Sequence, residues 1–366
     1  MKLRCLRGKL TVKRIVSLLF VMALCTVGVM KVQAAPRHQA NIDLTPIKTY
    51  AQDQSALMKE NTEMLRAIAE RYYQLAEAAE FDYAALWANN QAELSGMLPV
   101  AQTAWLTASN AYEAQEGIIA GVPTLAYYDT WIDAGPSGEE SPDEALDWTL
   151  ELPDGTQIEQ PGNIFSYVTE PALYGTIPAY VGLEVDLDGD GEIALGEVLP
   201  EANIFLGGVI ALDDATGEMI EAIEAWEPTL EDAFTALVVM LPTMSEYFDQ
   251  WKDSVFVSGE ASAQPYFVAV SRLSDIIGII NGLNITYNVV APLVENANPD
   301  LHAQIAAGFE DLVPYLDDLY TQEQDGTVFT AEEADFYGTE AQTKAEAMAA
   351  LCAQAAVELG LELELG

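Results

Sequence analysis

From Tyr50 onward apolar residues recur at three- and four-residue spacing, with Leu57, Met64, Leu65, Ile68, Tyr72 and Leu75 marking the pattern. This is the period of an amphipathic helix. Thr45-Pro46 ahead of it supplies an N-cap followed by proline in the first turn. Further helices are predicted at about 82–94 and 98–119, with a short one running through Tyr127 and Trp131 to Ala134. Between 135 and 200 the periodicity dissolves. Pro136, Pro142, Pro153, Pro161, Pro171, Pro178 and Pro200 fall there, with Gly135, Gly155 and Gly162, and together they predict a loop-rich insertion. One small helix is expected inside it, from the capping-box pattern Ser141-Pro142-Asp143-Glu144 through Trp148. Helical spacing resumes over about 201–213, 216–226, 229–252, 264–296, 299–319 and 330–360. Gly278, Gly282 and Asn284 predict a kink in the fourth of these. No useful length alternates with the period of a strand. The expected fold class is therefore all-α: a helical bundle with an N-terminal part at 35–134, the insertion at 135–200 and a C-terminal part at 201–366.

The insertion carries the strongest chemical motif. Residues 186–197 read Asp186-Leu187-Asp188-Gly189-Asp190-Gly191-Glu192-Ile193-Ala194-Leu195-Gly196-Glu197. Acids at loop positions 1, 3 and 5, glycine at 6, isoleucine at 8 and glutamate at 12 match an EF-hand calcium loop. Calcium is a hard cation that takes six to eight oxygens. Asp186, Asp188 and Asp190 would supply side-chain oxygens, Glu192 its carbonyl, and Glu197 a bidentate carboxylate. Pro178 and Pro200 break the flanks, which predicts a clip on the insertion rather than a sensor that opens. A fainter echo at 321–332 ends in Glu332 but begins with Thr321, and predicts a turn into a capped helix more than a second ion.

A second site is predicted from a residue out of character. Ala101, Trp105, Ala108, Tyr112, Glu116 and Ile119 fall on one helix face. A carboxylate in that apolar stripe needs a cation or hydrogen-bond donors. Basic residues are absent for a long way on either side in sequence. Asp129 and Asp133 follow four apart, so Glu113, Glu116, Asp129 and Asp133 are candidates to converge on a cation. The alternative is that Tyr112 or another hydroxyl satisfies Glu116 while the aspartates cap turns.

These residues also carry a resemblance. The pattern Trp105…Ala108…Tyr112-Glu113…Glu116, then Leu125…Asp129…Ile132-Asp133-Ala134, resembles the imelysin-like family. That family includes imelysin and the periplasmic component of Efe-type ferrous-iron uptake systems. The tail Asn298-Pro299-Asp300-Leu301…Ile305, followed by Asp325-Gly326 and a final helix, is similar to the family's C-terminal part. The resemblance implies a bundle-like all-α fold in the cell envelope, a link to iron, an envelope transport partner and, for some members, a metallopeptidase activity. The chain departs from the family where a Gly-x-His-x-x-Glu motif would follow Asp133. It runs Gly135-Pro136-Ser137-Gly138 instead, and its only histidines are His38 and His302.

Charge sharpens this picture. Lys+Arg 15 against Asp+Glu 58 gives a net charge of −43. Residues 1–34 have the pattern of a secretory signal. Lys2, Arg4, Arg7, Lys9, Lys13 and Arg14 precede an apolar run from Ile15 to Met30, and Val32-Gln33-Ala34 forms the cleavage site. The apolar run is short for a retained membrane anchor. Removal takes seven of the 15 basic residues and no acids, leaving 8 against 58 and a net charge of −50. Between Arg71 and Lys252 there is no lysine or arginine, against 34 acids. Such a charge excludes nucleic acid and anionic lipid as partners. The membrane is then met only through the export signal, and the expected location is secreted or periplasmic. Cys352 is the single cysteine after cleavage, expected as a buried inert thiol. The leading functional expectation is an exported, non-enzymatic calcium-binding protein of imelysin type that captures metal (iron) or another ligand. A metal-dependent hydrolase or peptidase, and a calcium-stabilised structural protein, are the alternatives.

Overall fold

The computed structural model describes residues 42–363, and the export signal expected at 1–34 lies outside them. Two long helices open the chain, α1 (Thr45–Ala78) and α2 (Tyr83–Ile119), followed by the short α3 (Ala126–Asp129) and a π-helical turn at Thr130–Ala134. The insertion holds β1 (Thr149–Glu151), β2 (Gln157–Glu159), α4 (Glu170–Tyr174), β3 (Val181–Glu184) and β4 (Val198–Pro200). Then come α5 (Ala202–Ala225), α6 (Leu230–Met240), α7 (Met244–Asp253), α8 (Val255–Ser258), α9 (Arg272–Ala297), α10 (Pro299–Gln324) and α11 (Ala331–Leu359). In the bundle α1 lies between α2 and α5, α2 leans on α9, and α9 on α10. α11 closes the far side against α6, α7 and α10. One core runs continuously from Ile47 on α1 to Ala356 on α11, so the helices on either side of the insertion are not separate hydrophobic units.

The all-α expectation holds, with local corrections. Residues 82–94 and 98–119 run together as α2, whose two helical segments meet at a kink at Asn90 (φ −130°) rather than at 95–97, with Pro99 carried inside the helix. The first helix is capped from Asp43, whose carboxylate accepts the Thr45 N–H at 3.0 Å, not by Thr45 itself. The helix expected from Ser141 is only a turn: Ala145 N–H reaches Ser141 at 2.9 Å and the chain then straightens. Trp148 is needed elsewhere, since its indole N–H donates to the Gly162 carbonyl at 3.0 Å and its backbone continues into β1. The expected absence of strands gives way to two short hairpins, β1–β2 and β3–β4. Segments this short carry too few residues for a two-residue period to stand out. The 201–213 and 216–226 helices fuse into α5, whereas 229–252 is interrupted by a 3₁₀ turn at Leu241–Thr243 around Pro242.

The predicted helix at 264–296 begins only at Arg272, and α9 runs to Ala297 as a single helix. Its glycines serve close packing. A Cβ on Gly282 would stand 2.6 Å from the Ala114 carbonyl oxygen, and one on Gly278 would stand 3.0 Å from the Glu113 backbone. Arg272, Asp275, Gly278 and Gly282 recur at three- and four-residue steps, so they share one face of α9. The two glycines seat that face on α2, and the first turn of α9 thereby arrives beside Glu113.

Candidate functional site

Every member of the predicted stripe on α2 is buried: Ala101, Trp105, Ala108, Tyr112, Glu116 and Ile119. Glu113 is buried too, at 3% exposure, with Glu116 at 2% and Asp133 at 5%. One carboxylate oxygen from each of these three lies within 4.8 Å of the others. The π-helical turn delivers Asp133, with the Gly135 N–H closing back on the Thr130 carbonyl at 2.9 Å. Asp129, the last residue of α3, precedes this turn and accepts a 2.7 Å hydrogen bond from the Tyr112 hydroxyl. The hydroxyl that satisfies Glu116 belongs to Tyr247, 131 residues further along. All four predicted carboxylates thus reach one neighbourhood, three of them as a tight group.

Sequence spacing missed the residues that complete it. Arg272 is 5% exposed, its guanidinium 2.6 Å from Asp275 and 3.9 Å from Glu113. It lies 4.3 Å from the Tyr247 ring and 4.1 Å from the Phe267 ring, in cation–π geometry. Its Nε donates to Gln250 at 2.8 Å. The signal in the sequence was slight: one of very few bases, three residues before an aspartate at the start of an apolar helix. Five carboxylates therefore share one guanidinium. Among the described residues no cation lies within ion-pairing distance of Glu116, Asp129 or Asp133. Oε2 of Glu113, Oε2 of Glu116 and Oδ1 of Asp275 are buried with no hydrogen-bond partner.

This imbalance shows in the acidities. Burial pushes Glu116 up to about 7, against hydrogen bonds from Glu113 and Tyr247 that pull the other way. Glu113 rises well above its ordinary value through burial and the Asp275 and Asp133 charges. Asp129 is raised by burial and by Glu116, and Asp133 by burial despite Arg272. Burial lifts Asp275 to about 6 even with Arg272 beside it. Buried carboxylates prefer to be neutral unless positive charge arrives, and one guanidinium does not suffice for five.

A cavity of about 510 Å³ opens onto Glu116, Asp129, Asp133 and Arg272. The segment 262–271 roofs it. Buried Glu170 on α4 accepts the backbone N–H groups of Phe267, Val268 and Ala269 at 2.8, 2.9 and 2.9 Å. Phe267 is held in the left-handed region (φ 56°), which turns its ring against Arg272. Tyr266 packs on Tyr167 of the insertion with ring centroids 4.5 Å apart. Burial pushes Glu170 up to about 7 despite the three N–H donors.

The 186–197 loop spans the β3–β4 hairpin rather than two helices, in line with its broken flanks. Side-chain oxygens of Asp186, Asp188 and Asp190 lie within 4.8 Å of one another. Asp186 accepts the Gly189 and Gly191 N–H groups at 2.7 and 3.0 Å, and Gly189 and Gly191 adopt φ values of 82° and 94°. Asp188 and Asp190 accept from Asp190 and Glu192 at 2.9 and 2.8 Å. Glu197 stands apart from the three aspartates, accepting N–H groups of Leu187, Asp188 and Ala194. Those bonds, Ala194 foremost, hold its carboxyl below the usual range. The Glu192 side chain is exposed and its N–H serves Asp190. An all-oxygen donor set on a turned backbone suits a hard cation such as calcium. The 321–332 stretch is the turn between α10 and α11, and Thr330 with Glu333 forms the capping box of α11. Cys352 is buried, its thiol pushed up to about 12 by burial.

Residues 210–358, from within α5 to the end of α11, match the family model of imelysin, a peptidase M75 family. This C-terminal part is similar to the imelysin family, and the all-α bundle is the fold that the resemblance implied. The matched span contains Tyr247, Arg272 and Asp275, whereas the α2 carboxylates and the 186–197 loop precede it. No curated protein matches the chain.

Proposed function

We propose that this is an exported, calcium-binding imelysin-like protein of the cell envelope that captures a cation in the carboxylate pocket. The observation that carries the proposal is the charge imbalance: five carboxylates against one guanidinium, with orphaned oxygens on Glu113, Glu116 and Asp275. Iron is the metal that the family resemblance implies, and Glu113, Glu116 and Asp133 are the residues to hold it, with Asp129 beside them. The donors are oxygens throughout, and carboxylate sites favour hard cations over soft ones. Calcium at Asp186, Asp188 and Asp190, with the Glu192 carbonyl and Glu197 completing the loop, acts as a clip on the insertion that walls the pocket.

Calorimetric titration of the protein with calcium and then iron tests both parts. The expected result is one calcium per chain, lost in Asp186→Ala, and iron binding lost in Glu116→Gln while calcium binding persists. Calcium binding unchanged in Asp186→Ala would remove the loop from the account. Iron binding unaffected by Glu116→Gln would remove the pocket.

A further inference from the structure

The pocket is larger and more aromatic than a single ion needs. About 510 Å³ lies in the range of cavities that take small organic molecules. Its acids occupy two levels. Glu116 and Asp133 are buried at the floor, while Glu140 and Glu246 are exposed at the mouth. Between them the walls are rings: Tyr247 on one side, and Tyr266 packed at a tilt against Tyr167 on another. The Tyr167 hydroxyl donates to Glu140, which fixes that ring at the mouth.

The protein already shows what such a lining holds. Arg272 is an organic cation gripped by two carboxylates, Asp275 and Glu113, and by two aromatic faces, Tyr247 and Phe267. The same combination is repeated next to it without a cation. Glu116, Asp129 and Asp133 supply the carboxylates, and the Tyr167–Tyr266 pair supplies the faces. Glu116 lines the cavity, and its Oε2 is buried without a hydrogen-bond partner. Gln264, also a lining residue, carries a second buried acceptor without a partner in its Oε1. An ammonium offers three N–H donors to such acceptors and is attracted to ring faces, where a bare metal ion uses neither the rings nor the volume.

We infer that the pocket binds an elongated organic dication of the aliphatic diamine or polyamine class, one ammonium among Glu116, Asp129 and Asp133 and the other between Glu140 and Glu246, with the methylene chain along the tyrosines. This rests on the pocket being a cation site and adds a ligand class to it.

The test is calorimetry of the calcium-loaded protein at 0.15 M salt with 1,4-diaminobutane, spermidine and, as the single-charge control, butylamine. One diamine per chain is expected, bound at least about tenfold more tightly than butylamine. Glu116→Gln and Glu246→Gln should each weaken the diamine by about tenfold. Tyr266→Ala should weaken it with circular dichroism unchanged, which covers the case of a Glu116 variant that does not fold. The same experiment on Asp53→Asn, an exposed acid remote from the pocket, should leave the affinity as it was. Equal affinity for butylamine and diaminobutane would overturn the inference. So would an Asp53→Asn loss as large as that of Glu116→Gln, which would mark binding to the acidic surface at large. Titration with manganese in parallel separates the two proposals. Manganese held through Glu116 without diamine binding overturns only the dication, whereas neither binding overturns the capture site itself.

Discussion

At the scale of single residues, Glu116 was legible and its partners were not. A carboxylate inside an apolar stripe is visible in any sequence, because it breaks a period of 3.6. What surrounds it arrives through tertiary contacts: Tyr247 from α7 donates to Glu116, and Arg272 from α9 pairs with its neighbour Glu113. No spacing rule reaches across that distance. The raised pKa of Glu116 has a consequence for stability. Its carboxyl sits near 4.5 in an unfolded chain and about 7 here. The folded state then binds the proton more tightly, so this contribution to stability is fully present below about pH 4.5 and is lost as pH rises through about 7. Asp275 at about 6 and Glu170 at about 7 act with the same sign. The urea midpoint measured without added divalent cations should therefore fall from pH 4.5 to 8, and fall less steeply in Glu116→Gln. Parallel profiles for the two proteins would show that Glu116 keeps an ordinary acidity.

At the scale of elements, helical periodicity located nearly all of the long helices, and proline density located the insertion. The errors have physical causes. Pro99 and the Gly278–Gly282 pair resemble helix breakers, yet the chain is helical through each of them. Pro99 is carried inside α2, whose break falls at Asn90 instead. Gly278 and Gly282 are where α9 and α2 approach too closely for a side chain. A glycine chosen for proximity looks the same in sequence as one chosen for flexibility. Gly282→Ala would place a methyl 2.6 Å from the Ala114 carbonyl oxygen. Overpacking of this kind costs about 1–3 kcal/mol, and it would lift α9 and the Arg272 turn off α2. Equilibrium unfolding should show that loss together with weaker cation binding. Unchanged stability would mean that the two helices are not in the contact described.

At the scale of the whole molecule, the acidic loop and the pocket are linked through the insertion. Gly196, at the end of the loop, donates its N–H to the Tyr174 carbonyl at 3.3 Å, and its carbonyl accepts from Gln102 of α2 at 2.8 Å. Tyr174 ends α4, the helix that carries Glu170, and Glu170 pins the roof segment over Arg272. A cation in the loop would therefore steady the wall of the pocket without touching it. The cluster of Asp186, Asp188 and Asp190 was legible in sequence because its members lie two residues apart. The pocket was half legible because it is assembled from α2, the π-helical turn, α7 and α9. The overall negative charge is explained in part by these two places, since both gather acids beyond what nearby bases can balance.

The central claim is that a cation sits among Glu113, Glu116 and Asp133. Anomalous diffraction from crystals grown with manganese, an ion suited to carboxylate oxygens, tests it most directly. The account predicts two peaks per chain, one within 186–197 and one bounded by those three carboxylates, the second absent in Glu116→Gln. A peak in the loop alone, with the pocket holding only solvent at saturating manganese, would contradict it.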